Sequence, residues 1–394
     1  MSDTNELDLI VRAGRIFCAV AGLDGPGAVG VKDGQIVAAG QDVDASASRT
    51  LDFPDDLLLP GLVDLHAHPA KGGSKFGVDP DIEFLPRGVT TVMSQGDAGA
   101  NNWESYHEQV IRGSKTRVVM ALNLSASGES KDGGCFEDMD DVDVDACVRA
   151  IEENGDAVWG IAMNTAPVCC GDNDPEEIFL RGLAAAERTN RPLLVSPRQI
   201  ERLRSGDVVT YCFLHEEGLV KEGRIRDEVW AARERGVLFD IGHGMQSFSF
   251  EIAEAAIAEG FYPDTISTDQ YRRHVGSAPQ HDLPRTLSKL LAAGMPEAEL
   301  FTRATARPAE VLGLQDEAGS LETGTCADLT VLRWNPQALP LVDVRGIEGR
   351  ADVGSQLSRY VKGNRFSPGR SNLTPHLLLK IIPHPVDLLN RPRK

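Results

Sequence analysis

Two histidines spaced i, i+2 end the run Pro60-Gly61-Leu62-Val63-Asp64-Leu65-His66-Ala67-His68. On an extended strand successive side chains alternate faces. Asp64, His66 and His68 therefore share one face, with the two imidazoles about 7 Å apart. Two neutral imidazoles on one face can grip a single cation. The plainer explanation is a hydrogen-bonded polar pair at a strand end. Against it, these rings close the most hydrophobic strand of the N-terminal region, where each would need its own compensating partner.

Elements that could hold such a pair follow directly. From residue 62 the chain alternates apolar segments of five to eight residues with helix-like stretches; the strand candidates are 62–68, 89–96, 116–125, 157–163, 192–197, 208–213, 236–244 and 265–269. Eight strands separated by helices make a (β/α)8 TIM barrel, an α/β fold. Near-continuous apolar runs such as Val208-Val209-Thr210-Tyr211-Cys212-Phe213 suit a parallel sheet buried on both faces. Asp79-Pro80 and Asp174-Pro175 read as helix caps with Pro at the first helical position. Ser249 precedes an alanine-rich helix that stops at Gly260. Before residue 60 the texture is short β segments, with Asp33-Gly34 as a hairpin turn, and β texture returns after about 318, including 359–364. Residues 1–59 plus 318–394 are therefore expected to form a small β-sandwich domain from both termini. The tail from Ser367 reads as an extended arm, and residues 60–317 as the barrel.

The chain has 394 residues, 41% of them hydrophobic, enough for a large core. A formal net charge of −19 with no basic run argues against a nucleic-acid partner, because that affinity comes from clustered Lys and Arg. Neither a secretory leader nor 18 uninterrupted apolar residues is present, so no membrane partner and a cytoplasmic location are expected. Seven scattered cysteines fit reduced thiols, and the acidic stretch 137–145 a solvated surface.

With these features in place, the chain resembles the amidohydrolase superfamily of metal-dependent hydrolases, in the deacetylase branch near dihydroorotases. The resemblance runs from residue 7 to about 365. Its most specific stretches are Ser114-Lys115-Thr116-Arg117-Val118, Phe239-Asp240-Ile241-Gly242-His243-Gly244 and Gly260-Phe261-Tyr262-Pro263-Asp264-Thr265-Ile266-Ser267-Thr268-Asp269. It implies that His66 and His68 are metal ligands. Asp269, at the end of the eighth strand, would bind metal and shuttle a proton between water and leaving group. It also implies a lysine on strand four, a histidine on strand five and another on strand six for a second ion. This chain has Ala162, Ser196 and Tyr211 there. Two imidazoles and one carboxylate remain, so one divalent ion, zinc, is expected in a mononuclear site.

Other residues have open readings. His243, between two glycines, would orient substrate, stabilise an oxyanion, substitute as a ligand, or serve as a supporting histidine. The Tyr211 hydroxyl would donate to an oxyanion or fill vacated space; Ser196, at the same site, would contact substrate. Arg272, Arg273 and Arg198 lie in loops at the barrel mouth, where they would bind a substrate carboxylate or simply carry surface charge. His215 is a stand-in ligand or an exposed loop residue, and Cys169 and Cys170 are buried thiols before they are ligands. The expected function is hydrolysis of an amide, cyclic amide or ester of a small carboxylate-bearing substrate, in a homo-oligomer. A lyase or isomerase using one metal or none, and a non-catalytic binding protein, are the alternatives.

Overall fold

The computed structural model describes residues 6–215, 219–335, 340–349 and 372–380. Four strands open the chain: β1 (Leu7–Cys18), β2 (Leu23–Lys32), β3 (Gln35–Gly40) and β4 (Ala47–Pro60). The β2–β3 hairpin turns on Asp33 and Gly34, both at positive φ (50° and 73°), the geometry that the Asp-Gly pair favours. β4 then passes through Gly61 into a second sheet. A Cβ at Gly61 would lie 2.1 Å from Thr90 Oγ1, so only glycine fits at this junction.

The second sheet is parallel and buried on both faces. Its members are β5 (Leu62–Ala67), β6 (Val89–Gln95), β7 (Arg117–Asn123), β8 (Val158–Met163), β9 (Leu193–Val195) and β10 (Val208–Val209). After a small hairpin, β11 (Val220–Lys221) with β12 (Arg224–Ile225), it ends in β13 (Leu238–Phe239). Strands expected at 208–213 and 236–244 are thus much shorter than their apolar runs, and the segment at 265–269 is held only by single bridges. The backbone leaves the extended region there: Tyr211, Gly242, Gly244 and Asp269 all have φ between 48° and 60°. Hydrogen bonds still close the circuit. Ile241 and His243 donate to Thr265 and Ser267 oxygens, Asp269 N donates to His66 O at 2.7 Å, and His68 N to Gln270 O at 3.0 Å. The eighth segment therefore lies between β13 and β5.

Capping follows the sequence in part. Asp79 and Asp174 accept from backbone N–H groups at the starts of their helices, but Ser249 makes no cap bond and its hydroxyl is buried without a partner. The helix Phe250–Ala258 is held instead by its apolar face, which buries Phe250, Ile252, Ala253, Ala256 and Ile257.

The chain returns to the first sheet with β14 (Asp328–Asn335) and β15 (Asn372–Lys380), giving the order β15-β14-β4-β1-β2-β3. Strands from both termini do meet, but those described are assigned to one mixed sheet rather than to the two layers of a sandwich. Part of the expected arm is a paired strand, because β15 runs antiparallel to β14. The strand expected at 359–364 lies outside the described residues.

Candidate metal centre

His66 lies on β5 and His68 just beyond it; the bond from Asp269 N to His66 O brings Asp269 beside them. The ligand atoms of His66, His68 and Asp269 all lie within 4.8 Å of one another, and all three residues are buried. Both imidazole Nε2 atoms face Asp269 Oδ1, at 3.4 and 3.5 Å. Two nitrogens and one carboxylate oxygen converging at this spacing fit a divalent ion such as zinc.

Electrostatics hold the cup together. Burial opposes charge on His66, but Asp269 and Asp240 overcome it and lift its pKa to about 9. For His68, burial is likewise overcome by Asp97 and Asp269, to about 10. Burial works against the Asp269 carboxylate, yet the two imidazoles hold it well below the usual carboxylate range. Without a cation the site thus keeps protons on its rings, and a divalent ion must displace them.

The tethers behind the cup were not apparent in the sequence. His68 Nδ1 lies 3.1 Å from Asp97 Oδ1, and His66 Nδ1 lies 2.7 Å from Thr210 Oγ1, which donates to Asp240 Oδ2 at 2.8 Å. Asp97 sits just past the end of β6, in Ser94-Gln95-Gly96-Asp97, and Asp240 just past β13. A carboxylate at the C-terminal end of a barrel strand was the available signal.

The remaining candidates fall at different depths. The Tyr211 hydroxyl stands 3.5 Å from His66 Nε2, at the cup. Burial, with the charge of Asp269 next, pushes its pKa well above the ordinary value, so it stays a donor. His243 is stacked on Phe248 with ring centroids 4.8 Å apart. Its Nδ1 contacts Gly244 O at 2.8 Å and its Nε2 contacts Lys289 Nζ at 2.7 Å, so both ring nitrogens are engaged away from the three candidate ligands. Ser196 is buried, 3.3 Å from the Thr165 hydroxyl. Arg198 is half-buried; Arg272 and Arg273 are exposed on a single helical turn. His215 pairs with Arg345 at 2.7 Å and lies outside the ligand group. All seven cysteines are free, Cys170 buried and Cys169 half-buried. Ala162 is fully buried, and a methyl group offers no ligand atom.

A metal-dependent enzyme working at the C-terminal ends of a parallel α/β sheet is the class these features define. An amidohydrolase family model matches residues 249–362. A deacetylase of Enterococcus faecalis is 31% identical over 354 residues, 87% of this chain and 94% of that protein. Among solved structures, an adenine deaminase superposes with a TM-score of 0.79 at 28% identity, over 94% of this chain and 97% of the other. A dihydroorotase superposes with 0.76 at 27% identity, over 94% and 96%. The chain belongs to the amidohydrolase superfamily and is an amidohydrolase-type enzyme, a metal-dependent hydrolase with the TIM-barrel-like fold of that family. Among the described residues no helix is long and apolar enough to cross a membrane.

Proposed function

We propose that this enzyme uses one zinc ion, held by His66, His68 and Asp269, to hydrolyse an amide, cyclic amide or ester of a small carboxylate-bearing substrate. The observation that carries the reading is the convergence of these three ligand atoms within 4.8 Å in a buried cup. Zinc bound there supplies Lewis acidity and lowers the pKa of water toward neutrality. Asp269, kept ionised by the neighbouring imidazoles, accepts the proton of the attacking water and passes it to the leaving nitrogen or oxygen. Tyr211, protonated and at the rim, donates its hydroxyl to the developing oxyanion. Arg198, Arg272 and Arg273 attract the substrate carboxylate. His243, fixed between Gly244 and Lys289, supports the wall behind Asp269. The single-ion stoichiometry rests on Ala162, Ser196 and Tyr211. The reading keeps residues 60–317 as a (β/α)8 catalytic barrel and both termini as the second domain. Similarity to proteins named deacetylase, adenine deaminase and dihydroorotase supports the reaction class.

Elemental analysis of the purified full chain, together with hydrolysis assays on N-acetyl amino acids, acetate esters and cyclic amides, tests it. One zinc per chain is expected, with activity lost in chelator and restored by zinc. Two equivalents, or activity indifferent to metal, would contradict it.

A further inference from the structure

We propose that Asp97 and the Thr210–Asp240 pair are positioning residues that hold a proton on Nδ1 of each histidine, so that Nε2 of both rings is the nitrogen left to a cation in the cup. This rests on the metal reading above and extends it to residues outside the ligand set.

Proton counting gives the assignment. A threonine hydroxyl has one proton to donate. Thr210 gives it to the Asp240 carboxylate, an acceptor only, so its oxygen must accept at His66, and the proton lies on His66 Nδ1. Two more hydroxyls use Asp240 in the same way, as an acceptor: Thr265 Oγ1 donates to Oδ1 and Ser267 Oγ to Oδ2, both at 2.6 Å. Ser267 in turn accepts from Gly242 N at 2.9 Å, so its own proton is free for Asp240. The same holds at Asp97. Ser74 Oγ donates to Oδ1 at 2.5 Å while accepting from Phe76 N. Ser94 Oγ donates to Oδ2 at 2.6 Å while accepting from Asp97 N. Asp97 is thereby an acceptor for His68 Nδ1–H. Both rings present Nε2 to the cup, the only nitrogen that can face Asp269 at the observed 3.4 and 3.5 Å.

The two tethers differ. His68 has a carboxylate directly on Nδ1, whereas His66 reaches its carboxylate through a hydroxyl, with Asp240 Oδ2 3.8 Å from Nδ1. Backbone closes tightly around this relay: a Cβ on Gly242 would stand 2.2 Å from Thr210 Oγ1 and 3.1 Å from His66 Nδ1.

The test is zinc affinity of the metal-stripped full chain, measured by competition with a chromophoric chelator for the wild type, Thr210→Val, Thr210→Ser and Asp97→Asn. Second-sphere partners of ligand histidines typically change affinity 10- to 100-fold. Thr210→Val, isosteric but lacking the hydroxyl, and Asp97→Asn are each expected to weaken zinc by about that factor. Thr210→Ser, which restores the hydroxyl, is expected to return affinity to near that of the wild type. One-bond coupling between 113Cd and labelled histidine 15N in the substituted protein is expected at Nε2 of both rings. Thr210→Val binding zinc as the wild type does, Thr210→Ser failing to rescue it, or cadmium coupled to Nδ1 would overturn the assignment while leaving a metal enzyme. A wild type that takes up no zinc would overturn the metal reading itself. Should Thr210→Val not fold, Asp97→Asn carries the same test at the other ring.

Discussion

Lys289 gives the sharpest stability prediction, because its amine is buried with a neutral partner. It rises from the helix Leu283–Ala292 and meets His243 Nε2 at 2.7 Å, with its Nζ 5.6 Å from the Phe248 ring centroid. Burial, assisted by Arg285 and opposed by Asp343, brings its pKa from 10.5 to about 7. Below pH 7 the folded and unfolded chains both hold the proton. Between about 7 and 10.5 the unfolded chain holds a proton that the folded one lacks, so this group's contribution to stability rises with pH. The slope reaches about 1.36 kcal/mol per unit above the folded pKa, which gives about 2.3 kcal/mol from pH 7 to pH 9. Lys289→Met keeps the unbranched stem and removes the amine. At pH 7 the relief, about 4–5 kcal/mol by the same conversion, is partly offset by about 1–3 kcal/mol for leaving His243 Nε2 unpaired. A net gain of about 2 kcal/mol is expected at pH 7, falling to about zero by pH 9. Urea unfolding of metal-free wild type and variant, followed by tryptophan fluorescence at pH 7, 8 and 9, measures the difference; contributions from His66 and His68 cancel because both chains carry them. A difference that stays constant or widens with pH would refute the reasoning.

The other predictions concern the cup. His66→Asn removes one of the three proposed ligands and should abolish stoichiometric zinc uptake, as read by elemental analysis, while the far-ultraviolet circular dichroism stays that of the wild type. Gly244→Ala places a Cβ 2.5 Å from Asp269 Oδ2 at φ +48°, so at least a tenfold fall in kcat with weakened zinc binding is expected. Gly313→Ala, at φ +70° with nothing within 4 Å, should cost only the backbone strain of about 1–2 kcal/mol and leave activity intact. Tyr211→Phe should lower kcat by about 100-fold with little change in KM, since a hydroxyl that meets the oxyanion acts chiefly in the transition state; an equal rise in KM would assign it to substrate binding instead.

How much of this was legible in the sequence depends on how far each interaction reaches along the chain. The His66–His68 spacing announces itself within three residues, and the Asp33-Gly34 turn within two. The parallel strands were visible as apolar runs because burial on both faces leaves no alternation to mistake. Asp97, Thr210 and Asp240 were not visible. They meet their histidines across 29, 144 and 174 residues, the last by counting from His66 to Asp240. Nothing in the composition of Thr or Asp distinguishes a tether from a turn. Ser249 makes no cap bond although the local pattern was right: its N donates to Phe213 O at 3.0 Å, a contact across 36 residues that the local pattern does not contain.

Strand lengths were overestimated where the function is concentrated. Apolar character continues past Val209 and past Phe239, so a pattern of burial alone extends the strands, whereas the backbone leaves the ladder at Tyr211, Gly242, Gly244 and Asp269. For Tyr211 and Asp269 a left-handed backbone conformation costs about 1–3 kcal/mol each. That strain is sustained by the surroundings: Asp269 N is bound to His66 O, and Gly244 leaves the space its carboxylate occupies. The same turn that ends the eighth segment swings Asp269 across to the first strand, within reach of both imidazoles. The early end of the strands and the assembly of the cup are therefore one structural event. A sequence pattern that records only burial sees the apolar run and misses the turn that makes the site.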